Sequence, residues 1–268
     1  MKYAYQDRPK RSLGQNFLQD GNIVRKIVDA LALRSGEPVL EIGPGRGALT
    51  AVLLERTPRV MALEKDRDLA SALVRKWPSL GVVNGDGMSF CWEGVAPEGG
   101  IKIVGNLPYN VASPMMWEIL SRVPRLTRAV FMVQKEVALR LVAGPSTKAY
   151  GALSVWVQSF VRPELLFTVP PTVFVPRPRV DSAVVAFVPA GPGVPAADRP
   201  ALTATLHRLF QQRRKQIGST LKGAWSQGVE AWARENGVER AMRPENLTPA
   251  QFLSLAVLLR DQERATTG

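Results

Sequence analysis

Short apolar runs alternate with amphipathic stretches through the first half of this chain of 268 residues. The apolar runs, which are typical of buried strands, lie at 38–42, 60–63, 82–83, 101–104 and 129–133. Apolar residues recur at helical spacing in the stretches between them, at 48–56, 66–77 and 113–122. Strands that alternate with helices indicate βαβ units and a mostly parallel sheet with helices on both faces. The pattern therefore predicts a Rossmann-like α/β fold.

The second half of the chain has a different pattern. Two more β-rich runs, 152–160 and 180–188, would close the edge of the sheet. A Pro, Gly and Ala-rich stretch then follows, and beyond it apolar residues recur at helical spacing only. The predicted parts are a first domain (1–188), a linker (189–199) and a small all-helical C-terminal domain (200–268).

Composition limits the chemistry that this fold can perform. One histidine and one cysteine exclude a cysteine-cluster zinc site and argue against histidine catalysis, so no metal is expected. No apolar run approaches the ~20 residues that span a membrane. The basic N-terminus is not followed by the apolar segment of a signal peptide. We therefore expect a cytoplasmic protein with no membrane partner.

The net charge of +12 is unevenly distributed. Residues 199–222 contain six Lys or Arg residues and no acidic residue. A local basic excess indicates a surface for a polyphosphate such as RNA, because Lys and Arg displace condensed counterions from it. A generic solvated basic face is the alternative.

A glycine-rich turn follows the first predicted strand. Gly43, Gly45 and Gly47 lie where a strand turns into a helix and where a ligand can approach the backbone. Glu64 ends the next apolar run, where an acidic side chain can bind ribose hydroxyls. Both NAD and S-adenosylmethionine contain a ribose, so these residues alone leave the two cofactors open.

Three further features favour S-adenosylmethionine. Glu41 precedes the glycines and suits an ammonium group better than a pyrophosphate. Asp86 follows the third apolar run and can accept a hydrogen bond from an adenine amino group, although a turn role is the alternative. The fourth run brings GNLPYN (105–110) to the same carboxyl edge. Together they predict the sheet of a class I S-adenosylmethionine-dependent methyltransferase.

The stretch GNLPYN fits transfer of a methyl group to an adenine amino nitrogen, which is a poor nucleophile. The side-chain oxygen of Asn106 and the carbonyl of Leu107 or Pro108 would accept its two hydrogens and aim its lone pair. Pro108 fixes the turn, and Tyr109 offers a face on which a flipped base can stack. The alternative is a plain β-turn.

Five blocks occur in one order along nearly the whole chain. They are KRSLGQNFL (10–18), EIGPGRGALT (41–50), NLPYN (106–110), VPPTVFVPRPRVDSAVV (169–185) and FQQRRKQIGSTLK (210–222). Together they resemble the KsgA family of bacterial small-subunit ribosomal RNA adenine dimethyltransferases. The resemblance implies that the cofactor is contacted by Asn16, Leu18, Gly43, Glu64, Asp86 and Asn106. It also implies the substrate, two adjacent adenines near the 3′ end of 16S rRNA in the 30S particle, each methylated twice on N6.

The added blocks supply further candidates. Phe174 would form a second wall of the base pocket opposite Tyr109, with a core position as the alternative. The candidates for contact with RNA phosphates are Arg213, Arg214 and Lys215 on a predicted helix, together with Lys10 and Arg11 near the cofactor entrance. We expect a monomer.

Four other functions share part of this pattern, and each conflicts with a feature of the sequence. An Erm-type dimethylase of 23S rRNA shares the motifs of the first half, but the blocks at 169–185 and 210–222 argue against it. A DNA adenine methyltransferase would need a separate domain that reads the DNA sequence, and this sequence shows none beyond the short helical C-terminal part. A non-enzymatic ribosome-assembly factor conflicts with the intact Gly43, Glu64 and Asn106. An NAD enzyme would need a proton donor that the sequence does not place.

Overall fold

The structure, a computed structural model, describes residues 10, 14–95, 97–191 and 193–267. Its strands are β1 (Phe17–Leu18), β2 (Val39–Ile42), β3 (Val60–Glu64), β4 (Gly81–Asn84), β5 (Ile101–Asn106), β6 (Leu126–Gln134), β7 (Val161–Val169), β8 (Phe174–Val175) and β9 (Ser182–Pro189). Its α-helices are α1 (Gly21–Ala30), α2 (Ala48–Arg56), α3 (Arg67–Lys76), α4 (Ala112–Arg122), α5 (Lys135–Leu141), α6 (Ala152–Phe160), α7 (Arg199–Phe210), α8 (Ile217–Thr220), α9 (Gln227–Glu235) and α10 (Pro249–Thr267). Among the described residues, no helix is both long and apolar enough to cross a membrane.

Seven strands form one sheet in the order β4-β3-β2-β5-β6-β9-β7. The first five strands of this order are parallel, and β9 pairs antiparallel with β6. Four of the parallel strands carry the predicted chemistry and end at the same edge of the sheet. The predicted Rossmann-like α/β fold is confirmed.

A separate two-stranded sheet holds residues 17 and 18. In it β1 pairs antiparallel with β8, with Phe17 opposite Val175 and Leu18 opposite Phe174. The amide of Gln19 continues the ladder by donating to the carbonyl of Val173 over 2.9 Å. Residues 17–19 are therefore fixed by backbone hydrogen bonds.

The chain divides into two compact units. The first comprises residues 1–138 and 163–189, and the second comprises 139–162 and 190–268. The second unit is helical and includes 139–162, which the sequence analysis had assigned to the first domain. Within it α10 packs on α6, α7 and α9, and Phe210 stacks on Phe252 with ring centroids 5.5 Å apart.

Two predictions of secondary structure were wrong. Residues 152–160 form helix α6 and not a strand, because consecutive buried residues such as Val155, Trp156 and Val157 give no periodicity that separates the two structures. Residues 211–216 form turns between α7 and α8 and not a helix. Their sequence, QQRRKQ, contains no apolar residue that could form a buried stripe.

Strand β7 was not predicted at all. It contains Pro163, which has no amide hydrogen for a ladder and argues against a central strand. The structure places β7 at the edge of the sheet, where a proline is tolerated.

Candidate active site

A cleft opens at the carboxyl edge of the parallel strands in the first unit. It is lined by residues 14–18, the glycine turn after β2, and the ends of β3, β4 and β5. The predicted residues that line it are Asn16, Leu18, Glu41, Gly43, Gly45, Glu64, Asp86, Asn106, Leu107, Pro108 and Tyr109. Ligands of open α/β sheets collect at this edge. The cleft is therefore the candidate active site.

The glycine turn leaves backbone open to the cleft. Gly43 has φ +62°, and a Cβ built there would meet no atom within 4 Å. Gly47 has φ +81°, and a Cβ there would lie 2.4 Å from the Trp77 ring. The first glycine thus leaves space for a ligand, whereas the second allows close packing of the turn on the protein.

Two buried carboxylates face this turn. Glu64, at the end of β3, accepts hydrogen bonds from the amides of Gly45 over 3.0 Å and Asp66 over 2.8 Å. Glu41, which is 1% exposed, accepts a hydrogen bond of 2.6 Å from the hydroxyl of Thr50.

Burial raises the pKa of both carboxyl groups. It raises the pKa of Glu41 to about 8, with the hydrogen bond from Thr50 opposing the shift and the charge of Glu64 adding to it. Burial also raises the pKa of Glu64, against the hydrogen bonds from the backbone amides of Asp66 and Gly45. An added cation would lower both pKa values, so this part of the cleft favours a positively charged group.

Asp86 lies on the loop after β4. Its Oδ2 pairs with Lys65 Nζ at 2.7 Å, and its Oδ1 accepts from the Met88 amide over 3.0 Å. The ion pair with Lys65 and the bond from Met88 lower the pKa of Asp86, which keeps it ionised as an acceptor. Asp86 therefore lines the cleft and also has a turn role, because its side chain accepts a hydrogen bond within its own turn.

Asn106 ends β5 with its amide fixed in orientation. Its Nδ2 donates to the carbonyl of Asn16 over 2.9 Å. Its Oδ1 has no hydrogen-bond partner in the part of the chain that the structure describes, so this oxygen is available as an acceptor. The carbonyl of Pro108 already accepts from the Val111 amide over 3.1 Å, which makes the Leu107 carbonyl the better second acceptor.

The two predicted aromatic walls have different surroundings. Tyr109 lines the cleft, and its hydroxyl forms a hydrogen bond of 2.6 Å with Ser182 Oγ. Burial raises the pKa of Tyr109, so the phenol stays neutral. Phe174 is 2% exposed, packs in the core with Leu18, and does not line the cleft. In this structure Phe174 occupies the core position that the sequence analysis left as its alternative.

The candidate RNA-binding residues also differ from one another. Lys10 is paired with Asp66 and Asp68, each at 2.8 Å, and Arg11 lies outside the described residues. Arg213 Nε donates to Glu245 Oε2 over 2.5 Å, and Arg213 Nη2 donates to the carbonyl of Lys148 over 2.9 Å.

Arg214 and Lys215, by contrast, are exposed, and neither side chain makes an ion pair within the described chain. Among the candidates that the structure describes, these two are free to contact a phosphate.

Gln15 and Asp66 are among the residues in or beside the cleft that the sequence analysis did not predict. Gln15 lies inside the first block, and Asp66 follows Glu64 by two positions. Asp66 is the N-cap of α3 and accepts a hydrogen bond from Gln15 over 3.1 Å. An acidic residue just before a predicted helix was the available signal for the cap.

Solved structures with the same fold include two that cover most of this chain. The 23S rRNA methyltransferase ErmE is 26% identical with a TM-score of 0.69, covering 91% of this chain and 99% of that chain. A dimethyladenosine transferase from Plasmodium falciparum is 24% identical with a TM-score of 0.73, covering 93% and 98%. At this level of identity, the similarity to the Plasmodium falciparum structure supports the fold alone.

Similarity in sequence is higher among bacterial relatives. The ribosomal RNA small subunit methyltransferase A of Maridesulfovibrio salexigens is 51% identical over 249 residues, which is 92% of this chain and 94% of the relative. Its counterpart in Pseudomonas putida is 40% identical over 272 residues, which is 99% and 100%. The family described as ribosomal RNA adenine dimethylase matches residues 6–261. The chain therefore belongs to the ribosomal RNA adenine dimethylase family of methyltransferases.

Proposed function

We propose that the protein dimethylates N6 of two adjacent adenines near the 3′ end of 16S rRNA, on the 30S particle, during ribosome biogenesis. The methyl donor is S-adenosylmethionine, no metal takes part, and the protein acts as a monomer. Support comes from relatives named small subunit methyltransferase that are 40% to 51% identical over nearly the whole chain. The observation that carries the proposal is the position of Asn106 and Tyr109 in one cleft with Glu41 and Glu64.

The cleft fits the proposed donor on three observations. Open space above Gly43 lets a ligand reach the backbone. Glu64 lies at the end of β3, where a carboxylate can accept from ribose hydroxyls. Glu41 is a buried carboxyl group without a cationic partner among the described residues, and an ammonium group would supply that partner. Asp86 would hold the adenine amino group, with Asn16 and Leu18 covering the donor.

The chain's own residues would position the acceptor base. When bound, S-adenosylmethionine supplies a methyl group on a sulfonium, which is already a good leaving group. Asn106 Oδ1 and the Leu107 carbonyl accept the two amino hydrogens and direct the nitrogen lone pair into the cleft. The bond from Asn106 Nδ2 to the Asn16 carbonyl occupies the NH2 group and leaves the amide oxygen available to accept from the base.

Tyr109 would stack on the flipped base, which is worth ~1–3 kcal/mol. Its bond to Ser182 Oγ holds the ring in place. Each transfer leaves a positively charged, methylated nitrogen, which loses a proton to solvent water. After the first transfer the nitrogen therefore keeps one hydrogen, and one acceptor suffices for the second methylation. Arg214 and Lys215 would contact RNA phosphates outside the cleft.

The test is transfer of labelled methyl from S-adenosylmethionine to undermethylated 30S particles, with 50S particles and duplex DNA as parallel substrates. We expect N6,N6-dimethyladenosine near the 3′ end of 16S rRNA. Label in 23S rRNA would establish the Erm-type function instead. Tight donor binding without any label would favour a non-enzymatic assembly factor.

A further inference from the structure

Lys10 belongs to a network that ties the N-terminal segment to the first turn of α3. Lys10 Nζ donates to Asp66 Oδ1 and Asp68 Oδ2, each over 2.8 Å. The backbone amide of Lys10 donates to Gln15 Oε1 over 2.8 Å, and Gln15 Nε2 donates to Asp66 Oδ2 over 3.1 Å. We call these four residues, Lys10, Gln15, Asp66 and Asp68, the N-terminal latch.

The centre of the latch is the buried carboxylate of Asp66. Its side chain is 2% exposed, whereas that of Lys10 is 42% exposed. Burial alone would raise the pKa of Asp66, but the hydrogen bonds from Lys10, Gln15 and the Asp68 amide outweigh it and lower the pKa. A buried carboxylate that loses its cation is left with an uncompensated charge, so Asp66 has a strong preference for the latched arrangement.

The latch is bonded to two groups of residues that line the cleft. First, the Asp66 amide donates to Glu64 Oε1 over 2.8 Å, and Glu64 Oε2 accepts from Gly45 in the glycine turn. Second, the segment that Gln15 anchors continues directly into Asn16, whose carbonyl holds the Asn106 amide. The β1–β8 pairing holds residues 17 and 18 independently of the latch. Release of Lys10 and Gln15 would therefore loosen the part of the cleft wall formed by residues 14–16.

We propose that the N-terminal latch holds this wall in place for donor binding, and that Lys10 is a positioning residue for the methyl-donor site and not an RNA ligand. This inference rests on the proposed function, since it takes the cleft to be the donor site. It departs from the sequence-based expectation for Lys10, whose charge is already matched by two carboxylates.

The test is calorimetric titration of S-adenosylhomocysteine into the full-length protein without RNA. Lys10→Gln should raise the dissociation constant about fivefold, which is the upper range for an exposed ion pair. Asp66→Asn should raise it by a similar factor, because Asn keeps one oxygen to cap α3 but removes the charge and the second oxygen, which accepts from Gln15. The double variant should lose little more donor affinity than either single variant, as expected for two residues that share one interaction.

Matched variants separate the latch from a general charge effect. Lys135 forms an exposed pair with Asp181 at 3.3 Å and is 45% exposed, close to the exposure of Lys10. Lys135→Gln should leave donor affinity unchanged. Lys10→Arg should restore it to within about twofold, since Arg can pair with the same carboxylates.

Two readouts distinguish positioning from loss of stability. Raising NaCl from 50 to 500 mM should weaken donor binding to the wild type more than to Lys10→Gln, because salt screens the ammonium of Lys10, which is 42% exposed. Thermal midpoints of the variants should stay within a few degrees of the wild type.

The outcomes are distinct. Unchanged donor affinity in Lys10→Gln and Asp66→Asn, with wild type binding normally, would overturn the latch. A lower affinity of Lys10→Gln for 30S particles, with a shallower salt slope and intact donor affinity, would overturn it in favour of RNA contact. Failure of the wild type to bind S-adenosylhomocysteine at all would contradict the proposed function itself.

Discussion

The carboxyl edge of the sheet and the turn at 211–216 are both rich in polar residues, but the polar side chains are positioned differently in the two regions. At the edge, Glu41, Glu64 and Asn106 project from the ends of adjacent parallel strands into one cleft. In the turn, Arg213 is bound to Glu245 and to the Lys148 carbonyl, while Arg214 and Lys215 beside it are exposed.

The difference follows from what fixes each side chain. A residue at the end of a parallel strand is positioned by the backbone ladder, which the apolar pattern already specifies. A long basic side chain on a turn is positioned by whichever carboxylate the tertiary structure brings near it. The first kind of site is visible in sequence, and the second kind depends on partners distant along the chain.

The largest effect should come from the amide at the end of β5. Asn106→Ala removes Oδ1, and we expect single-turnover methyl transfer to fall about 10²- to 10³-fold, as for loss of one positioned polar group in a reacting centre. S-adenosylhomocysteine affinity should change less than threefold. Asn110→Ala, in the same cleft, should change transfer less than threefold. Normal transfer by Asn106→Ala would remove the positioning mechanism.

The buried carboxyl group of Glu41 should make stability depend on pH. Its pKa is about 8 in the folded protein against an ordinary 4.5, so between these values the folded state holds a proton that the unfolded state releases. Stability therefore falls as pH rises through this window, by about 1.4 kcal/mol per pH unit from Glu41. The raised pKa of Glu64 acts in the same direction.

Denaturant unfolding between pH 5.5 and 7.5 measures this dependence. Glu41→Gln, which can still bond to Thr50, should flatten the slope. Glu55→Gln, which replaces an exposed glutamate on α2, should leave it unchanged. An equal slope in the wild type and Glu41→Gln would mean that the carboxyl group is hydrated in solution.

The same contrast explains what the sequence could predict. The parallel strands, the glycine turn and the residues at strand ends were predicted because each follows from local pattern and chain order. Helix α6 was missed because its run of buried residues is equally typical of a strand. The bonds of Lys10 to Asp66 and of Arg213 to Glu245 join residues 56 and 32 positions apart, which no local pattern specifies.

The glycine turn offers a smaller and sharper test. Gly43 and Gly36 have φ +62° and +79°, and a Cβ on either would meet no atom within 4 Å. Alanine at either position should therefore lower the free energy of unfolding by a similar ~1–2 kcal/mol, because an alanine is strained in the left-handed backbone conformation. Only Gly43→Ala should also weaken S-adenosylhomocysteine binding, by about tenfold, because its methyl group enters the cleft. Equal affinities in the two variants would place the donor elsewhere.

The smallest expected effects separate Arg213 from Arg214 and Lys215 within the turn at 211–216. Arg213→Gln loses the Glu245 pair and a bond to the Lys148 carbonyl, so we expect a loss of about 1–2 kcal/mol in unfolding free energy. Its salt slope for 30S binding should stay unchanged. The pair of changes Arg214→Gln and Lys215→Gln should leave stability within about 0.5 kcal/mol and reduce the slope by about 1.4–1.8, because two phosphate contacts are lost. If Arg213→Gln reduced the salt slope as much as the double change does, Arg213 would have to break its bond with Glu245 and contact RNA. The contrast between one structural arginine and two residues that face RNA would then not hold.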